Sequence, residues 1–317
     1  MITLWVVGPL HGLLQPVLRT EHVLPVLMYH SISDDPEPGV LDYYRLCTSP
    51  ARFAEQMRWL QDNGFRGVTL SEGLAWLNRE VDASRTVAEP RPVALTFDDG
   101  FQDFYEWAFP VLQRHGFRAT VYLPTVFIGT SRLRFQPHGG STLPGVLGRP
   151  CLTWDEVAEL AVAGMEMGGH TVTHPVLPRL DWFEIEREVR LCKDQIEQRL
   201  GTPVRSFAHP YAFPIEQRDY VKRLSDLLQA AGYSSGVTTR VGRARPGMSP
   251  FVLCRLPVSE VDDRPLLEAK MKGDYDWLGR VQQLWRSLRL ASAQKLWLRS
   301  HQVAIGHADG PDGKSSF

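Results

Sequence analysis

The chain has 317 residues, with 35 Lys and Arg against 36 Asp and Glu, and 43% hydrophobic and 22% charged side chains. This near-neutral, globular composition argues against wholesale disorder. It also argues against a nucleic-acid binder that works through a broad positive field. Four cysteines, Cys47, Cys151, Cys192 and Cys254, lie far apart with no C-x-x-C pair, which disfavours a disulfide scaffold and a cysteine-based zinc site and fits a reducing compartment.

Residues 1–18 contain no Asp, Glu, Lys or Arg. Gly8, Pro9, Gly12 and Pro16 interrupt any helix there and no basic residue precedes the apolar stretch, so neither a signal peptide nor a membrane span is expected. Residues 1–22 read as a poorly ordered leader. Residues 23–29 (VLPVLMY) read as a buried strand. Phe53, Met57 and Leu60 share a face of a helix predicted over 50–63, which Gly64 stops. Strands at 92–97 (PVALTF) and 119–123 (ATVYL) flank a helix near 103–115. Thr153 and Glu156 have capping-box spacing and open another helix, after which 165–169 (MEMGG) reads as a short strand. Trp182, Ile185, Val189, Cys192, Ile196 and Leu200 line one face of a helix over 181–200, closed by Gly201. A strand at 204–208, a helix at 216–231 and strands at 234–238 and 251–256 continue the alternation.

Such alternation implies parallel strands with helices outside. Seven or eight strands over roughly 240 residues predict a single-domain (β/α) barrel rather than an open doubly wound sheet, since no Gly-rich phosphate loop follows the first strand. Residues 129–150, rich in Gly, Pro and Arg, read as a long functional or mobile loop, and 82–91 as a polar connector. From Asp276 a helix is expected with Trp277, Val281, Leu284 and Leu288 on one face. Residues 277–300 hold Arg280, Arg286, Arg289, Lys295 and Arg299 and no acid. That helix either packs on the barrel or lies on a membrane surface among anionic headgroups. The expected organisation is a leader (1–22), a barrel (23–270), and an amphipathic helix with a frayed tail (271–317).

Three short segments carry chemistry. Asp98 and Asp99 follow a buried strand, at the end of a parallel barrel strand where active sites are built; read alone they serve equally well as caps of the next helix. His170 and His174, four residues apart after another strand, are able to converge on one metal, and with one carboxylate they make a three-ligand site with an open position, the pattern of catalytic zinc. The pair Gly168-Gly169 is expected to permit an unusual backbone before His170. His209-Pro210-Tyr211 closes a third strand with a turn that could offer a backbone N–H to a substrate.

Together TFDDG (96–100), HTVTH (170–174) and AHPY (208–211) resemble the motifs of the polysaccharide deacetylase family, carbohydrate esterase family four. The resemblance runs from about residue 26 to about residue 257. PVLMYHSIS, the segment after Gly100 and LTWDEVAELAVAGMEMGGHTVTHP are further points of similarity, to a branch that includes proteins of surface-glycan and glycolipid biosynthesis. It implies a distorted (β/α) barrel of about seven strands. It implies Asp98 as general base, Asp99, His170 and His174 as ligands of one divalent ion, zinc foremost, and Tyr211 as the oxyanion donor through its backbone N–H. Two departures stand out. Ala208 occupies the place of an arginine that orients the base in many members, and the RLPVSEVDDRP stretch has no histidine to serve as general acid. His30, at the end of the first strand, and His209 are the candidates for that role, each with a plainer reading as a hydrogen-bonding rim or core residue. The expected activity is metal-dependent removal of an acetyl group, N-acetyl before O-acetyl, from an amino sugar in a glycan or glycolipid, in the cytoplasm or at the inner membrane face. The alternatives are a catalytically degenerate carbohydrate-binding barrel and a deacylase of a non-carbohydrate amide.

Overall fold

The computed structural model describes residues 22–35, 37, 40, 45–79, 90–137, 147–279 and 281. Residues 1–21 of the expected leader, the middle (138–146) of the expected 129–150 loop, all but the start of the segment expected to be helical beyond Asp276 and most of the 82–91 connector lie outside these residues.

Among the described residues ten strands and seven α-helices follow in the order β1 (Val26–Tyr29), β2 (Ser31–Ile32), β3 (Cys47–Thr48), α1 (Pro50–Asp62), β4 (Phe65–Val68), α2 (Leu70–Leu77), β5 (Arg91–Phe97), α3 (Phe109–His115), β6 (Thr120–Leu123), α4 (Trp154–Val162), β7 (Glu166–Gly169), α5 (Trp182–Leu200), β8 (Ser206–Ala208), α6 (Arg218–Ala230), β9 (Ser235–Val241), β10 (Leu253–Pro257) and α7 (Arg264–Lys272). Parallel pairing runs β5-β6-β7-β8-β9-β10-β1, and β1 returns to β5 with Leu27 opposite Leu95, which closes a seven-stranded barrel. The barrel is distorted where β4 joins it. β5 and β6 pair only through Thr96↔Thr120 and Phe97↔Val121. The first half of β5 pairs instead with β4, from Phe65↔Arg91 to Val68↔Ala94.

The predicted elements form where local signals are strong. Thr153 and Asp181 each make a reciprocal capping box, with Glu156 and Glu184 respectively, at the starts of α4 and α5, and Gly201 ends α5 in the left-handed conformation. The predicted 103–115 helix begins with a π-helical turn, Phe104–Ala108, before α3. Five elements lie outside the sequence reading: β2, β3, β4, α2 and α7. α2 closes the N-terminal end of the barrel, with Leu70 and Leu77 packing against Leu24, Ala94 and Leu253. Its first amide donates to Thr120 Oγ1 at 2.8 Å. Within the 129–150 stretch, bridges link Phe101 to Cys151, Gly129 to Thr153 and Arg134 to Pro150, so its two ends are tied to the barrel rim.

Two hydrophobic layers hold the strands. The larger lies between sheet and helices and includes Leu27, Phe53, Leu95, Val121, Val189 and Ile196. The smaller, with Val26, Tyr122, Ala208 and Val237, belongs to the interior. Both faces of β7 are too tight for a side chain, the interior at Gly168 and the helix-covered side at Gly169. A Cβ at Gly168 would sit 2.4 Å from the Tyr122 ring, and one at Gly169 would sit 2.4 Å from Tyr233 Oη. This corrects the expectation for the glycine pair: neither has a positive φ, and their role is close packing beneath His170.

Candidate active site

The C-terminal ends of β1, β5, β7 and β8 carry the sequence-marked residues at one rim. Asp98 and Asp99 follow β5, and both are buried. Asp99 has φ +70°, Thr171 +69°, His174 +54° and Tyr211 +56°. These are left-handed conformations that non-glycine residues adopt at a cost of about 1–3 kcal/mol each when surrounding structure enforces them. The turn at Asp99 directs its carboxylate away from Asp98 and toward the histidines. Asp99 Oδ1 lies 3.4 Å from His170 Nε2 and 3.2 Å from His174 Nε2.

His170 donates from Nδ1 to the Ala208 carbonyl oxygen at 2.8 Å. That bond assigns the proton to Nδ1 and leaves the Nε2 lone pair facing Asp99, the usual arrangement behind a metal-binding imidazole. The His174 ring is held edge-on by Phe135 and Tyr211, at centroid distances of 5.1 and 4.6 Å. Burial pushes His174 down from the ordinary imidazole value, against the Asp99 charge. At His170 burial is outweighed by Asp99 and Asp98, which raise it. The fit to a divalent cation is direct. The three ligand atoms lie within 4.8 Å of one another, and Asp99 Oδ1 is buried without a hydrogen-bond partner, an arrangement that a cation accepting all three donors satisfies.

Asp98 is held differently. Arg255, from the middle of β10 and wholly buried, grips it through two parallel hydrogen bonds, Nη1 to Oδ1 at 2.6 Å and Nη2 to Oδ2 at 2.7 Å. Arg255 Nε donates to the Thr238 carbonyl at 3.0 Å and Nη1 also reaches Thr96 Oγ1 at 3.3 Å. Four N–H directions of the guanidinium are thus aimed at acceptors, as a buried arginine requires. Burial alone would push the Asp98 carboxyl up, but Arg255 holds it below the usual carboxylate range, aided by His170 and His30. The arginine missing at Ala208 is therefore matched in chemistry by one from a strand at the other side of the motif. Its only sequence signal is a lone charge inside the apolar run FVLCRL.

His30 Nε2 stands 3.9 Å from Asp98 Oδ2 with its side chain partly exposed at the rim. His209 is placed otherwise: Nε2 lies 3.1 Å from Tyr220 Oη and its ring packs edge-on against Phe213 at 4.7 Å. Burial pushes it down to about 3, which favours the neutral imidazole over the imidazolium a general acid needs near pH 7. Pro210 is buried in the same turn. Tyr211 follows it, with its ring on His174 and its carbonyl accepting from Thr239 Oγ1 at 3.1 Å.

Comparison with known proteins places this geometry. Residues 85–235 match the family model described as polysaccharide deacetylase. The protein YxkH of Bacillus subtilis (strain 168), assigned by name to the polysaccharide deacetylases, is 28% identical over 236 residues, which cover 74% of this chain and 71% of that one. The poly-beta-1,6-N-acetyl-D-glucosamine N-deacetylase of Escherichia coli (strain K12) is 28% identical over an alignment covering 90% of this chain, and the chain spans 46% of that protein. Among solved structures, the Streptococcus pyogenes deacetylase PplD in complex with acetate superimposes with a TM-score of 0.62 at 26% identity, covering 78% of this chain and 98% of that one. IcaB from Ammonifex degensii gives 0.59 at 25% identity, over 78% of this chain and 96% of that one. With its motifs gathered at one rim of a seven-stranded barrel and residues 85–235 matching the family model, the chain bears out the resemblance to the polysaccharide deacetylases read from its sequence.

Proposed function

We propose that the protein is a metal-dependent deacetylase that hydrolyses the N-acetyl group of an amino sugar within a glycan. The observation that carries this reading is the pairing of a buried, arginine-clamped carboxylate, Asp98, with the adjacent Asp99–His170–His174 triad. The substrate class is supported by the E. coli relative, whose name specifies poly-β-1,6-N-acetylglucosamine. Asp99, His170 and His174 would hold one divalent ion, zinc by the chemistry of the donor set; when bound it supplies Lewis acidity to water and acyl oxygen.

The chain's own residues do the rest. Asp98, ionised because Arg255 stabilises its anion, accepts a proton from the attacking water. Arg255 fixes the direction of that carboxylate. The backbone N–H of Tyr211 donates to the oxygen that becomes negative as the acyl carbon turns tetrahedral, a contact typically worth about 2.7–4 kcal/mol. His30, beside Asp98 and open to the rim, gives a proton to the departing amine. Water and amide are consumed, and amine and acetic acid leave.

The non-catalytic reading drew its motive from Ala208 and the absent terminal histidine; Arg255 and His30 answer both. A lipid-linked amino sugar is the second form of the substrate, which the basic, aromatic sequence of residues 277–300 would suit if it meets a membrane from the cytoplasmic side. The test is acetate release from N-acetylglucosamine oligomers and lipid-linked N-acetyl sugars, with and without a chelator. Release that stops with chelator and returns with added zinc is expected. Protein that binds zinc yet frees no acetate from any substrate would overturn the reading.

A further inference from the structure

The His170–His174 loop contains two residues with positive φ, Thr171 and His174, and it must keep two imidazoles aimed at one point. His170 has the Ala208 carbonyl to orient it, whereas His174 Nδ1 is buried with no hydrogen-bond partner. The direction of His174 is therefore set by its backbone and by ring packing. That backbone is held from two sides. The amides of Thr125 and Val126 donate to the carbonyls of Thr171 and Val172, at 3.2 and 3.0 Å. On the other side Glu188, in the second turn of α5, accepts from the amides of Val172 and Thr173 at 2.7 and 2.9 Å through Oε2. Its Oε1 takes the Thr173 hydroxyl at 2.9 Å. Thr171 Oγ1 then accepts from the His174 amide at 3.0 Å.

We propose that Glu188 is a positioning residue for the metal site: its carboxylate clamps residues 172–173 and thereby fixes the separation and aim of His170 and His174. The inference rests on the metal reading above. α5 is a rigid anchor for this purpose, since its start is fixed by the Asp181–Glu184 capping box and Ile185 and Val189 bury the face beside Glu188. The clamp works by geometry rather than charge. A glutamine at 188 places its carbonyl oxygen where Oε2 accepts both amides, and its NH₂ donates to the Thr173 hydroxyl, which is able to accept.

The experiment is zinc titration of metal-stripped full-length protein against a competing chelator, with thermal unfolding of the stripped forms. Glu188→Ala should weaken zinc binding by about 10–100-fold, the usual effect of losing a partner behind the ligands. Glu188→Gln should stay within about 3-fold of wild type. If Glu188→Ala does not fold, Glu188→Asp serves: it keeps the charge, falls one methylene short of the loop, and should weaken binding likewise. Zinc affinity unchanged in the folded Ala and Asp variants, with only the unfolding temperature lowered, would overturn the clamp and leave the metal reading intact. Equal losses in Ala and Gln would also overturn it, because charge and not geometry would then be responsible. Wild-type protein that binds no zinc would overturn the metal reading and the clamp with it.

Discussion

The two ends of the barrel treat buried polar groups in opposite ways. At the N-terminal end Glu166 opens β7, and its carboxylate accepts from the Ser71 amide and hydroxyl, from Thr120 Oγ1 and from Ser206 Oγ, at 2.8–3.0 Å. That set ties three strands and the start of α2 together and leaves no capacity for a ligand. At the C-terminal end Asp99 Oδ1 and His174 Nδ1 are buried without hydrogen-bond partners, and four of the five non-glycine residues with positive φ among the described residues gather there. Saturated hydrogen bonding stabilises a fold; unsatisfied atoms on an enforced backbone stabilise whatever binds them. The difference separates the end that holds the barrel together from the end prepared for chemistry.

The sharpest test of the prepared end is Asp98→Asn. An amide cannot accept the proton of water, so turnover should fall toward the upper part of the ~10²–10⁴ range for general-base help, while metal content stays at the wild-type level. Asp99→Asn should instead lose metal. Equal metal loss in both variants would merge the two roles and break the comparison within the carboxylate pair.

Arg255→Met comes next. It strands a buried carboxylate, which should cost about 3–5 kcal/mol of stability. It also changes pH dependence in a definite direction. With Arg255 present, Asp98 lies below the usual carboxylate range, so its anion and the stability it confers persist above the unfolded value and are lost only as pH falls through the depressed one. Without the guanidinium, burial is left to push Asp98 upward, and the acidic limb of kcat/KM should move to higher pH. A limb that stays in place would show that Arg255 does not tune the base.

His30→Ala should act more selectively. An amine leaves poorly unless protonated, whereas an aryl ester leaves as a stable anion, so loss of a general acid should depress amide hydrolysis about 10²-fold more than ester hydrolysis. Parallel loss on both substrates would make His30 a packing residue of the rim.

What the sequence made legible follows from how local each signal is. The paired aspartates and the two histidines each sit within a few residues, directly after strands with clear apolar patterns. α5 announced itself through six apolar positions on one face, its acidic cap and its terminal glycine. Arg255 was hidden because its partner lies 157 residues away and a single arginine in a strand has no period. β4 reads FRGV, in which Gly67 and Arg66 mask a strand, and α2 has only eight residues. The Thr69–Glu72 capping box was the available signal for α2, and Asp263 followed by Pro265 was the signal for α7. His209 resembled its neighbours in sequence, and only packing against Phe213 and Tyr220 reveals that it faces away from the chemistry.

The smallest expected effect belongs to the other end of the barrel. Glu166→Ala removes an acceptor from the Ser71 amide, one of the N-terminal donors that α2 cannot satisfy within itself, and from three hydroxyls. The hydroxyls are free to rotate toward one another or toward water; the amide is not. The cost should therefore be set mainly by one stranded backbone donor, about 1–3 kcal/mol, which lowers the unfolding temperature by several degrees in a domain of this size. Glu166→Gln should cost less, because its carbonyl is able to take the amide and its NH₂ to donate to a hydroxyl. Both variants should keep wild-type zinc affinity and kcat, since no residue of this network touches the rim. A fall in kcat with unchanged stability would mean that the two ends are coupled through β7, from Glu166 to His170, and that the division of labour between them is false.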